Sequence, residues 1–199
     1  MCRTFITTKF EQENYLVAAY HFNNLYDAFP NGQFAEDCAY MNGYCYYKIS
    51  PRVSLAQKNT KKAIRAFRRY VNDYPNSARV KKVNKLMDDL RLKLEQKAFN
   101  AAILYYEMGK YRASAESFTN FLEDYPGSNK ADRAKFLIFK SNYLLAKNSV
   151  EKKKHQRYEK AVESYYAFVD NYPQSGYVDE AEELFRESRN QIDKLRSKK

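Results

Sequence analysis

Residues 111–128, Tyr-Arg-Ala-Ser-Ala-Glu-Ser-Phe-Thr-Asn-Phe-Leu-Glu-Asp-Tyr-Pro-Gly-Ser, place apolar side chains at Tyr111, Ala115, Phe118, Phe121, Leu122 and Tyr125. Gaps of three and four put that set on one face of an α-helix. The helix is predicted to stop at Tyr125-Pro126, because proline lacks an N–H and disfavours helical backbone in the residue before it.

The same pattern occurs four times, anchored on Pro30, Pro75, Pro126 and Pro173, which are 45, 51 and 47 residues apart. One residue before each proline stand Phe29, Tyr74, Tyr125 and Tyr172. Five before stand Leu25, Tyr70, Phe121 and Phe168, and eight before stand Phe22, Phe67, Phe118 and Tyr165. Twelve before, all are small: Ala18, Ala63, Ser114 and Ala161. Eight after stand Cys38, Val83, Ala134 and Ala181. Aromatic, small and proline positions recurring at this period indicate stacked helix pairs, each hiding its neighbour's apolar face. The expected fold is all-α, an α-solenoid of antiparallel helix pairs.

Taken in order, residues 1–12 are predicted as an irregular leader and 13–196 as a single array of about four repeats, the first incomplete, before a basic tail at 197–199. Helices are expected at 13–29, 33–48 (with Phe34, Cys38, Met41 and Cys45 inward), 60–74, 78–108, 111–124, 129–146, 158–171 and 176–196. Residues 49–59 read as a polar insertion opened by Ser50-Pro51. Residues 147–157 read as a charged insertion that either frays or extends a helix. The 78–108 stretch keeps one apolar stripe through Val80, Val83, Leu86, Leu90, Leu94, Ala98, Ala101 and Tyr105, so a helix of roughly 45 Å is expected to brace neighbouring repeats. Gly109 is placed to take the left-handed conformation that ends it. The helix at 13–29 reads as the second of a pair whose first member is missing, which predicts a shortened or mis-started frame and an exposed, weak first helix.

Composition narrows the function. No apolar run approaches the ~20 residues that span a bilayer. Of the cysteines Cys2, Cys38 and Cys45, the latter two lie seven apart on one predicted helix, roughly 10 Å along its axis. That exceeds the ~7 Å reach of a disulfide, so buried free thiols are expected. No Cys-x-x-Cys or Gly-rich phosphate loop occurs, and neither His21 nor His155 has a partner at a recognisable catalytic spacing. No enzyme, metal or cofactor is expected.

The net charge of +11 is uneven: residues 52–93 hold 13 basic and 3 acidic side chains. Lys61, Arg65, Arg68 and Arg69 share one side of the 60–74 helix, opposite Ile64, Phe67 and Val71. This face reads as solvated, as a surface for an acidic partner segment or lipid headgroups, or as a nucleic-acid site. The last is set aside, because the tyrosines that would stack on bases follow the core period.

Residues 97–126 match the tetratricopeptide pattern, with Tyr105, Gly109, Tyr111, Ser114, Phe118 and Leu122 on its signature positions. The two insertions, the long helix and Tyr-Pro-x-Ser at three repeat ends together resemble the BamD family. These are outer-membrane assembly lipoproteins of the β-barrel assembly machinery, and the form found in Bacteroidetes is the most similar. The resemblance covers about residues 13–196. It implies a non-catalytic scaffold at the periplasmic face of the outer membrane, binding the periplasmic domains of BamA, other machinery subunits and unfolded outer-membrane proteins. It implies that the BamA contact falls within about 111–196, with Tyr143, Arg157 and Tyr158 as candidate exposed contacts. For Tyr143 and Tyr158 the competing reading is packing, since Tyr158 aligns with Tyr15 and Tyr111. The family has five repeats and a lipid anchor on an acylated cysteine. This chain departs from both, and Cys2, with no apolar lipobox before it, is not assigned the lipid. The alternative is another tetratricopeptide protein-binding adaptor of the cell envelope or cytosol.

Overall fold

The structure, a computed structural model, describes residues 10–197. Cys2 and the rest of the leader through residue 9, with Lys198 and Lys199, lie outside the described residues. The helices are α1 (Tyr15–Ala28), α2 (Ala35–Lys48), α3 (Lys58–Asp73), α4 (Val80–Glu107), α5 (Tyr111–Asp124), α6 (Ala131–Lys147), α7 (Glu151–Val169) and α8 (Val178–Arg196). Successive helices pack on their neighbours, and the fold is a tetratricopeptide-like α-solenoid. Two compact units divide between Gln96 and Lys97.

Three of the four prolines end their helices in the same way, while before Pro173 the helix α7 already stops at Val169, with Asp170 still in helical geometry at φ −60°. Before Pro30, Pro75 and Pro126, the cap residues Phe29, Tyr74 and Tyr125 leave helical geometry at φ −136, −129 and −134°. The next turn also repeats. Ser77, Ser128 and Ser175 each donate their N–H to the carbonyl of the tyrosine three residues back, at 3.1 Å. Gly32 makes the equivalent bond to Phe29 at 3.0 Å. Gly109 takes φ +70°. Beside it, Lys110 donates to the Tyr105 carbonyl at 2.9 Å and Gly109 to Tyr106 at 3.0 Å, the paired bonds that close a helix on a left-handed residue.

In the first unit, α1, α2, α3 and the start of α4 share a core. Ala18, Ala63, Phe67, Tyr70, Val83 and Leu90 are fully shielded from water. The closest helix approach is at Gly43, where a Cβ would lie 2.5 Å from the Phe67 ring. Glycine weakens a helix interior by roughly 0.5–1 kcal/mol relative to alanine, and here it opens the slot that Phe67 fills. The predicted insertion is an ordered loop built on Gln57, which is buried. Its amide donates to the Arg52 and Leu55 carbonyls at 2.9 and 2.8 Å and its oxygen accepts from Thr60 at 2.6 Å.

In the second unit, the end of α4 packs with α5–α8. Phe99 meets Phe118 and Phe121 edge to face, at 5.5 and 5.3 Å between ring centroids. The small Ser114 lets α5 close on α4, and its hydroxyl donates to the Ala102 carbonyl at 3.2 Å. Lys140–Glu180 (2.6 Å) and Lys147–Glu187 (3.4 Å) tie α6 to α8.

A second tie recurs between repeats. Ser77 Oγ donates to Glu36 at 2.6 Å, and Ser175 Oγ to Asp132 at 3.1 Å. Glu36 and Asp132 stand six residues after their prolines, so the turn of one repeat is fastened to the first helical turn of the repeat before it. Glu36 also accepts from Tyr70 Oη at 2.9 Å. The Ser77 and then the Tyr70 hydrogen bonds hold its pKa below the usual carboxylate range.

Several expectations are corrected. Phe34, expected inward, is exposed at the start of α2, and Phe29 is exposed although its counterparts Tyr74, Tyr125 and Tyr172 are partly buried. Tyr74 rests on Tyr26 of the preceding repeat (6.4 Å), whereas Phe29 belongs to the first described repeat. The stripe of α4 is not continuous. Val83, Met87 and Leu90 are buried in the first unit, but Phe99 and Ala102 in the second. Ala101 and Tyr105, expected inward, are exposed, because the two halves serve different cores. Of the two outcomes expected for the 147–157 insertion, residues 151–157 take the second and extend a helix, so α7 begins at Glu151, whose charge favours a helix N-terminus.

Phe118→Ala is expected to destabilise the chain by ~3–5 kcal/mol, the usual cost of emptying a buried phenylalanine site, in urea unfolding. Gly43→Ala is expected to cost about 1–3 kcal/mol, although alanine is the better helix former, because the Phe67 ring has to move. Glu36 predicts acid sensitivity. Its folded pKa is lowered, so its contribution is complete above the unfolded value of about 4.3 and is lost as pH falls through the folded pKa. The urea midpoint should drop below about pH 4, and Glu36→Gln should remove part of that drop.

Candidate functional site

The candidate residues fall into two groups, one in each unit. In the second unit, Tyr143 of α6 and Tyr158 of α7 are buried, at 2% and 3% exposure, with ring centroids 6.3 Å apart. The expectation of exposed contacts is therefore corrected for both: they are packing residues at the α6–α7 hairpin. Lys147 Nζ donates to Tyr143 Oη at 3.1 Å. Burial first, then the Glu187 carboxylate, push the Tyr143 phenol up, and burial raises Tyr158. Arg157 is half-buried and donates to Ser149 Oγ, which donates in turn to the Leu145 carbonyl. It thus fastens the 148–150 turn, where Val150 is 67% exposed.

In the first unit, Lys61, Arg65, Arg68 and Arg69 are exposed on α3. They are not equivalent. Arg69 pairs with Asp27 at 2.8 Å and Asp73 at 3.6 Å, and its guanidinium lies 4.4 Å over the Tyr26 ring. Among the described residues, no acidic side chain pairs with Lys61, Lys62, Arg65 or Arg68. Lys62 lies over Tyr46, 5.1 Å from the ring centre.

Of these cations, Lys62, Arg65 and Arg69 border a cleft of about 380 Å³ between α1 and α3, floored by α2. Tyr20, Asn24 and Arg65 stand at its rim, and Ala39, Asn42 and Ala66 line its depth. Asn42 donates to the Ala19 carbonyl at 2.8 Å and fixes α1 on α2. A cleft of about 330 Å³ occupies the same repeat positions in the second unit, between α5 and α7 over α6. There Leu122 replaces Tyr26, Ile138 replaces Asn42, Ser164 replaces Ala66 and Ala167 replaces Arg69. Sequence reasoning missed the clefts. No single helix signals them, because their linings come from three helices; the position ten before each proline, with Tyr20 and Arg65 in the first two copies, marks only the rim of the first cleft.

His155 has a carboxylate partner the sequence reading did not find: Nδ1 lies 3.4 Å from Glu159, one turn on. Arg196 contacts both residues, at 3.4 and 3.7 Å. Among the described residues, no group of three His, Cys, Asp or Glu side chains could hold a metal. Cys38 and Cys45 are buried free thiols, and burial pushes Cys45 up to about 12. No described helix is long and apolar enough to cross a membrane.

Helix pairs closed by proline-ended turns, with clefts repeating at the same positions, define a tetratricopeptide-like helical-repeat protein. The family model for YfiO, described as an outer membrane lipoprotein, matches residues 39–157 and 93–195. The chain belongs to this family, which is BamD-like, as the insertions and the long helix imply. Among curated proteins, none matches the chain.

Proposed function

We propose that this chain is a non-catalytic scaffold of the β-barrel assembly machinery, working at the periplasmic face of the outer membrane. It binds the periplasmic domains of BamA through residues 111–196 and receives unfolded outer-membrane proteins. The family match, which reaches residue 195, carries the reading. A tetratricopeptide-like fold supports it, since such helix pairs offer extended surfaces to other proteins.

Within the second unit, the contact is assigned to the α6–α7 turn. Val150 presents apolar surface there, and Arg157 holds the turn in place. Tyr143 and Tyr158 act from beneath, by fixing the two helices that carry it. Mixing the full chain with purified BamA periplasmic domains should give one co-eluting complex on size exclusion. Val150→Glu should weaken it about tenfold by placing a charge in an apolar contact. No complex with any BamA domain would overturn the reading and leave another tetratricopeptide adaptor.

A further inference from the structure

The cleft of the first unit carries a feature the fold does not require. Its counterpart in the second unit has a different charge pattern: Ala167 stands where the first unit has Arg69, Glu163 where it has Arg65 and Lys160 where it has Lys62, and Lys135 lines it where the first has Ala39. Arg65 and Arg69 are therefore not required by the helix packing beneath the cleft.

Two of the three cations that line it, Lys62 and Arg65, are also uncompensated. Asp27 is occupied by Arg69 at 2.8 Å, and among the described residues Lys61, Lys62, Arg65 and Arg68 pair with no acid. The cleft floor is made of small side chains, Ala39 and Ala66, which leave room for a main chain. Asn24 and Tyr46 line it and offer an amide and a hydroxyl suited to a peptide's own N–H and C=O groups. Tyr20, 62% exposed at the rim, adds an apolar face.

We propose that the cleft between α1 and α3 is a docking site for an extended, acidic segment of a partner protein. Carboxylates on the segment meet Lys62 and Arg65, with Lys61 and Arg68 extending the positive field that draws it in. A recess suits a single chain better than a flat bilayer, whose headgroups reach the rim and not the floor. The site is independent of the BamA contact, which lies in the other unit.

The test uses the full chain and a short fluorescein-labelled peptide of alternating Glu and Ser, followed by anisotropy. The matching Gln-Ser peptide and vesicles containing phosphatidylglycerol are the comparisons. The Glu-Ser peptide should bind and the Gln-Ser peptide should not. The double variant Lys62→Glu/Arg65→Glu should weaken binding at least about tenfold. Ala66→Phe changes no charge and fills the cleft, and it should weaken peptide binding to a similar degree. Lys135→Glu, beside the second cleft, should leave binding unchanged. Far-UV circular dichroism and the urea midpoint check that each variant is folded. If Ala66→Phe lowers the midpoint, Tyr20→Glu on the exposed rim replaces it, with the same expected loss. Binding that falls with charge reversal but ignores both Ala66→Phe and Tyr20→Glu would overturn the proposal. So would anionic vesicles that displace the peptide equally from the parent chain and from Ala66→Phe, which would make the face a lipid surface. No binding of the Glu-Ser peptide would also overturn it.

Discussion

A small side chain where two helices meet, with an aromatic ring one turn further on, is the contact on which everything else depends. Ala18, Ala63, Ser114 and Ala161 are wholly buried, and Phe22, Phe67, Phe118 and Tyr165 follow them four residues later, each 8% exposed or less. The small residue sets how near the helices come, and the ring fills the space that remains. Gly43 shows how little slack there is, since even one methyl group would strike the Phe67 ring. Interiors packed at crystal-like density transmit such misfits rather than absorb them. That is why the pattern holds in all four copies while the surfaces around it diverge.

The parts of the fold legible in the sequence were those governed by one local rule. Proline dictated the helix ends at Phe29, Tyr74 and Tyr125, and the 3.6-residue period dictated the buried faces of α3 and α5. The long helix α4 was only half legible. Its apolar residues permit a continuous stripe through Ala101 and Tyr105, but the second core takes Phe99 and Ala102 instead. Periodicity gives the faces a helix could bury and is silent on which neighbour claims each one. Tyr143 and Tyr158 show the same limit, for only the partner helix could show that their rings face one another.

The clefts were illegible for a different reason. They are made by residues from three helices, some buried in the core (Tyr26, Ala39 and Asn42) and others exposed at the rim (Tyr20 and Arg65). Fourteen and ten residues before each proline, the four copies have Leu16 and Tyr20, Lys61 and Arg65, Arg112 and Glu116, and Glu159 and Glu163. Only the third pair stabilises its own helix, through an Arg112–Glu116 ion pair at 3.0 Å. A single helix read alone presents these as ordinary outward side chains. Their meaning emerges when the repeats are overlaid and the differences, rather than the likenesses, are compared.

Energetics sharpens that comparison for α3. Like charges three or four residues apart destabilise a helix by a few tenths of a kcal/mol per pair, roughly 0.2–0.5, and Lys61, Arg65, Arg68 and Arg69 are spaced in that way. Asp27 and Asp73 relieve Arg69 alone. Nothing in the packing asks for the other cations, since the burial of Ile64, Phe67 and Tyr70 on the opposite face fixes the helix without them. The cleft in the second unit, with Ala167 where the first has Arg69, is likewise built on a buried Tyr165 and Phe168. The charge on α3 is thus a small cost to the helix that bears it, offset by the core. Its effect is felt only outside the fold, as a field reaching about 8 Å into physiological salt before it is screened.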